Sequence, residues 1–154
     1  MIDVRISGFL DKSVGDYIIP SDRVAHVQVG NSLEHALLVL TQTGYTAIPV
    51  LDSEYKLHGL ISTPLILDAI TGLKRFEFEK LDKLAVEEIM NKKIPTLTLD
   101  DTLEKGLKLL INHPFVCTVN NEGYFEGILT RRVILKQLTA YIHLLQIKGL
   151  DSLP

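Results

Sequence analysis

The chain states nearly the same pattern twice. Val14-Gly15-Asp16-Tyr17-Ile18-Ile19 aligns with Val86-Glu87-Glu88-Ile89-Met90-Asn91, and Asn31-Ser32-Leu33-Glu34-His35-Ala36-Leu37 aligns with Asp101-Thr102-Leu103-Glu104-Lys105-Gly106-Leu107. Gly59-Leu60-Ile61-Ser62-Thr63 aligns in turn with Gly127-Ile128-Leu129-Thr130-Arg131, and the offset drifts only from 72 to 70 to 68. Two copies of this length are two βαββα-sized units. Neither can build much of a core alone, so the two must bury apolar faces against each other. Clefts between such units are where ligands tend to sit.

Composition narrows the function classes. At 154 residues, 46% hydrophobic and 23% charged, the chain can bury a sizeable core. A net charge of -3 argues against a nucleic-acid binder, which carries a basic surplus to neutralise phosphates. Any anionic ligand must therefore be held by a local concentration of donors. The single Cys117 cannot form an internal disulfide, and its apolar run Phe115-Val116-Cys117-Thr118-Val119 reads as a buried strand in a reducing compartment. No apolar run approaches the ~20 residues of a membrane span. Asp3, Arg5 and Asp11 interrupt the N-terminus where a secretory leader would be apolar. A cytoplasmic protein with no membrane association is expected.

The local patterns predict a mixed α/β order in each unit. A short helix (14–19, 86–90) leads into an extended segment (25–29, 96–99). An amphipathic helix follows, with apolar positions Leu33, Ala36, Leu37 and Leu40 in one copy and Leu103, Gly106, Leu107 and Leu110 in the other. Asn31 with Glu34, and Asp101 with Glu104, read as a variant capping box at its start. Gly44 and Pro114 read as its stops. Each unit then reads as a hairpin (46–51 with 57–61, 115–119 with 125–129) whose polar turns are Asp52-Ser53-Glu54 and Asn120-Asn121-Glu122-Gly123. Ser62 and Thr130 open the closing helices, expected over 64–70 and 131–141. The expected units are residues 14–71 and 86–147, joined by a charged linker over 72–85, with a frayed tail over 149–154.

This order, the duplication, and the Gly-apolar-apolar-Ser/Thr signature after the third strand resemble the tandem CBS domain, or Bateman module. The likeness covers nearly the whole chain apart from the first dozen residues and the extreme C-terminus. The runs Val24-Ala25-His26-Val27-Gln28-Val29-Gly30-Asn31 and Thr43-Gly44-Tyr45-Thr46-Ala47-Ile48-Pro49-Val50, with Thr130-Arg131-Arg132, are similar to the CbpB-like family of stand-alone cyclic di-AMP-binding CBS proteins of Firmicutes. The resemblance implies two βαββα repeats packed pseudo-symmetrically and assembled as a disc-like homodimer. It also implies a regulatory module with no chemistry of its own and no cofactor, whose ligand is cyclic di-AMP. The (p)ppGpp synthetase/hydrolase Rel and pyruvate carboxylase are the docking partners it suggests. Mononucleotide-binding repeats commonly place an Asp three residues after the Ser or Thr. Here those places hold Leu65 and Val133, which weakens an AMP, ADP or ATP reading. The alternatives are a CBS pair that senses AMP or ATP, and a structural interaction module with no ligand.

The sharpest local anomaly is Arg131-Arg132 at a helix start. Cations at that positive end are unfavourable by roughly 0.3–1 kcal/mol each. An anion held by Thr130, Arg131, Arg132 and backbone N–H groups would resolve the conflict, and solvated or ion-paired arginines are the bland alternative. Thr63-Pro64, at the equivalent place, carries no charge, so the halves have diverged and one nucleotide site per chain is expected. Arg23 reaches the same cleft in the family's geometry, against the plain alternative of a surface cation. Val24, Ala25, Tyr45, Thr46, Ala47 and Ile48 are expected to form the apolar base slot, with Ile48 and Val50 serving chiefly as core. His26, His35, His58, His113 and His143 show no metal-ligand spacing. Ser7, Ser13 and Ser62 lack a triad or nucleophile-elbow context, and no phosphate-binding P-loop is present.

Overall fold

A computed structural model describes residues 4–151 and the side chains of 6–147. In chain order the elements are α1 (Val4–Leu10), β1 (Ile19–Pro20), β2 (Val27–Gln28), α2 (Leu33–Thr43), β3 (Ala47–Leu51), β4 (Leu57–Ser62) and α3 (Thr63–Ala69). The second half follows with α4 (Val86–Ile89), β5 (Thr96–Leu97), α5 (Leu103–Leu110), β6 (Phe115–Val119), β7 (Phe125–Thr130) and α6 (Arg131–Asp151). Single 3-10 turns occupy Val14–Asp16, Ser21–Arg23 and Phe78–Lys80. One sheet runs β2-β3-β4 and the other β1-β7-β6-β5. In each, the short first strand of the unit lies parallel to the middle strand, which pairs antiparallel with the last.

The expected helix starts lie one residue too early. Ser32 and Thr102 are the N-caps, in extended conformation, and their hydroxyls accept from the backbone N–H of His35 (3.1 Å) and Lys105 (3.3 Å). Asn31 and Asp101 instead close the preceding turn, accepting from Gln28 N and Thr98 N at 2.8 Å each. A side chain already committed to the outgoing strand cannot also cap the helix, so the hydroxyl one residue on takes that role. The reciprocal capping-box bond occurs at α4 instead, where the Glu88 carboxylate accepts from Ala85 N at 2.8 Å. Gly44 ends α2 with φ 76°, the left-handed stop its position predicts. Ser62 and Thr130 cap the closing helices, accepting from Leu65 N (3.3 Å) and Val133 N (3.1 Å).

Two elements exceed the sequence reading. α1 buries Phe9, which is 3% exposed, against Tyr141 of α6 at 5.2 Å between ring centroids and near Tyr17 at 6.4 Å. α6 runs to Asp151 rather than to 141, so the expected frayed tail is helical from Gly149 through Asp151, while Ser152, Leu153 and Pro154 lie outside the described residues.

The opening segment of each unit packs on the other unit. Val14 N donates to Asp101 O (2.8 Å) and Gly15 N to Leu99 O (2.9 Å); in the mirrored contact Val86 N donates to Asn31 O (2.8 Å) and Glu87 N to Val29 O (3.2 Å). Val14 accordingly sits in the second core beside Leu97, Leu103 and Leu129, and Val86 in the first beside Val27, Leu33 and Ile61. The crossing is completed at the sheets, where β1 joins the edge of β7 and Asn91 bridges Leu60. Gly127 and Gly59 lie beneath those crossings. A Cβ on Gly59 would stand 2.5 Å from Asn91 O, and one on Gly127 closer still to Ile19 O. A third cluster, Leu51, Cys117, Phe125 and Ile128, lies between the sheets and buries the apolar faces the halves were expected to share. At one end the hairpin turns meet, with Leu57 N donating to Gly123 O (3.1 Å) and Phe125 N to Tyr55 O (2.9 Å).

Candidate functional site

At the other ends of these strands a cavity of about 630 Å³ opens between the halves. Its apolar wall comes from the first half. The left-handed turn at Gly44 ends α2 and delivers Tyr45, Thr46 and Ala47 to the start of β3, while the strand approach contributes Val24 and Ala25. Ala25 and Ala47 keep the space open, and the Tyr45 ring is 49% exposed at its rim. Ile48 touches the cavity but is 1% exposed, chiefly a core residue, and Val50 is fully buried. The second half contributes Pro114, Phe115, Ile128 and the start of α6 from Thr130 to Val133.

Strand register explains why this cleft differs from its pseudo-symmetric counterpart. Ala47 pairs with Ser62 as Phe115 pairs with Thr130, so Phe115 takes the place of the small Ala47 in the other half. By the same register Pro95 replaces Ala25, and Pro64 replaces Arg132. The counterpart thus has bulkier side chains, no cation, and at Pro64 no backbone donor.

The charge in the cavity is one-sided. Arg131 and Arg132 line it, and no Asp or Glu does. Arg131 is already engaged: its Nε donates to Leu110 O at 2.8 Å and its Nη2 to Ile111 O at 3.1 Å, at the end of α5. The expected conflict between Arg131 and the positive start of α6 is therefore offset by the negative end of a neighbouring helix. Arg132 has no such relief. Its exposed guanidinium has neither hydrogen bond nor ion pair among the described residues, and its backbone N–H is likewise without a partner there. Arg131 N donates to Pro114 O (3.1 Å) and Val133 N to the Thr130 hydroxyl oxygen (3.1 Å), leaving the Thr130 O–H proton available. A free amide, a hydroxyl and an unpaired guanidinium at a helix start form an anion cradle beside an apolar slot.

Of the expected site residues, Val24, Ala25, Tyr45, Thr46, Ala47, Thr130, Arg131 and Arg132 line this one cavity. Arg23 does not: it lies exposed on the turn Ser21–Arg23, outside the lining. Ile19, Pro114, Phe115 and Ile128 escaped the sequence reading, because they reach the cavity through pairings such as Ile19 with Ile128 and Phe115 with Thr130. Val133 lines the cavity with an apolar side chain, and no His, Cys or Lys is among the lining residues to serve as a base or nucleophile. Among the described residues no cluster of His, Cys, Asp and Glu could hold a metal ion, and no helix is long and apolar enough to cross a membrane.

Two interlocked repeats with a cleft between them define a paired ligand-holding module, and the chain belongs to the CBS domain family, whose profile matches residues 14–72 and 86–140. It is 57% identical over 142 residues to cyclic di-AMP receptor B of Bacillus subtilis, covering 92% of this chain and 97% of that protein. It is similar to the crystal structure of CbpB from Listeria monocytogenes in complex with cyclic di-AMP, with 56% identity, a TM-score of 0.80, and coverage of 85% of this chain and 98% of that one. More distantly it resembles CBSX2, a protein of Arabidopsis thaliana, in its complex with AMP, with 26% identity, a TM-score of 0.69, and coverage of 83% and 97%.

Proposed function

We propose that this protein is a cyclic di-AMP receptor that acts as a homodimeric regulatory protein in the cytoplasm. It has no chemistry of its own and controls a partner enzyme such as Rel or pyruvate carboxylase according to ligand occupancy. The observation that carries the reading is the cavity's make-up: a small-residue apolar slot at Ala25, Tyr45 and Ala47 facing two arginines, with no carboxylate in the lining. An adenine fits the slot, and the phosphodiesters of a cyclic dinucleotide fit the cations. The likeness to the Bacillus receptor and to the Listeria complex supports the same ligand. Repeat units over 14–71 and 86–147, joined by 72–85, would each lend one wall.

Calorimetric titration with cyclic di-AMP, cyclic di-GMP, AMP, ADP and ATP tests this. Cyclic di-AMP should bind tightest, at one site per chain, and at a hundredfold excess over Kd should stabilise the fold by about 2.7 kcal/mol. AMP is the competing ligand, since the CBSX2 complex holds it. Val133 offers no carboxylate to a ribose diol, which favours the cyclic dinucleotide. Tighter binding of AMP would overturn the reading. Control of a partner is tested by pull-down from extract with and without cyclic di-AMP, where an identical set of captured proteins would reject it.

A further inference from the structure

The two arginines at the head of α6 are inequivalent, and the difference gives the cavity a route to the surface. Through Nε and Nη2, Arg131 holds the carbonyls of Leu110 and Ile111 at 2.8 and 3.1 Å. Its backbone N–H holds Pro114 O at 3.1 Å. One residue therefore staples the end of α5, the turn after it and the start of β6 to α6. α5 stops at Leu110, and the side chain of Ile111 just beyond is 73% exposed. The carbonyls at a helix end have no intrahelical partner, so this guanidinium is what completes α5.

The same guanidinium lines the cavity. Its Nε/Nη2 edge is one of those that match two phosphate oxygens in a bidentate pair, and that edge now rests on neutral carbonyls. The bonds to the carbonyls are charge-assisted only from the donor side, whereas a phosphate adds a full opposite charge and accepts both N–H groups in one bidentate pair. A phosphate at the start of α6 also satisfies that helix's dipole, which the resting position of Arg131 does not. The bonds to Leu110 and Ile111 are thus the weaker of two arrangements once an anion arrives.

Resting on the cyclic di-AMP reading, we propose that Arg131 is the switch of this site: a phosphate entering the cavity draws its guanidinium off the Leu110 and Ile111 carbonyls and loosens the last turn of α5. The surface around Ile111 then differs between the free and occupied protein, and that difference is what a protein partner can read. Arg132, without a hydrogen-bond or ion-pair partner among the described residues, holds the ligand without consequence for α5.

Amide hydrogen exchange on the full chain, free and saturated with cyclic di-AMP, tests this, with occupancy fixed by calorimetry on the same samples. Amides over 110–113 should exchange several-fold faster in the saturated protein. In Arg131→Ala they should already be fast without ligand and should not respond to it. In Arg132→Ala, saturated at higher concentration, the acceleration should persist. Binding heat with unchanged or slower exchange over 110–113 in the wild-type protein would overturn the switch while leaving the receptor reading intact. Absence of binding heat would overturn both.

Discussion

Of the two arginines that line the cavity, Arg132 is the one with neither hydrogen bond nor ion pair among the described residues. Its neighbour holds α5 in the free protein and its counterpart in the first half is Pro64, so an arriving anion first meets the Arg132 guanidinium and its backbone N–H. Arg132→Ala should weaken cyclic di-AMP binding by about 1.5–3 kcal/mol, as for hydrogen bonds to a charged group. That is roughly ten- to a hundredfold in Kd by calorimetry. The circular dichroism spectrum should not change, because no folded-state contact is lost. Unchanged affinity would place the phosphates elsewhere. Cys117 shows the opposite case, a reactive group the fold silences. Burial between the sheets, at 1% exposure, pushes its thiol up to about 12, so it stays protonated at neutral pH. A disulfide reagent should leave the native protein unmodified over minutes and titrate one thiol once urea unfolds it. Rapid labelling of the native protein would contradict the buried placement.

At the scale of elements, the interlocking of the two opening segments depends on glycines that let one backbone cross another. Gly127 lies under the Ile19 carbonyl of β1, and a methyl group there has no room against main-chain atoms. Gly127→Ala should destabilise the fold by about 1–3 kcal/mol, read as a lower urea midpoint at unchanged slope. An unaltered midpoint would show that β1 yields freely. These crossings also mark the limit of what the sequence discloses. Helical spacing, the left-handed Gly44, and the caps Ser62 and Thr130 are local signals, and each was legible. Tyr45 to Ala47 and Thr130 to Arg132 line one cavity, and it was the family resemblance, not any local pattern, that put the two runs together. The misplaced caps at Asn31 and Asp101 show two adjacent polar side chains competing for two turns, which composition alone does not rank. α1 was missed because seven residues carry little periodicity and its burial depends on Tyr141, far along the chain. Phe115, Ile19 and the bonds from Arg131 to α5 depend on register and tertiary contact, which no run of neighbours encodes.

For the whole molecule, the remaining question is what covers the outer face of α6. The apolar content of α3 is largely absorbed within the chain, since Ile66 and Ile70 are fully buried in the first core and Leu65 and Leu67 pack against it. α6 differs. Ile134, Leu138 and Tyr141 face the second core, while Leu135 (59% exposed), Ile142 (46%), Leu144 (55%) and Ile147 (43%) do not. Leu135 and Ile142 are two helical turns apart on one face, and Leu135 lines a shallow groove with Arg132, Lys136, Thr139, Ala140 and His143. Leu135 and Ile142, exposed apolar side chains on one face of a long helix, mark an association surface, and pairing of that face with the same face of a second copy about a two-fold axis would cover both. The protein should therefore sediment as a homodimer at micromolar concentration. Leu135→Glu combined with Ile142→Glu should shift it to monomer without loss of helical signal, because neither side chain belongs to the buried core. Wild-type protein that sediments as a monomer would reject the dimer. A dimer that survives the double substitution would move the interface to another face.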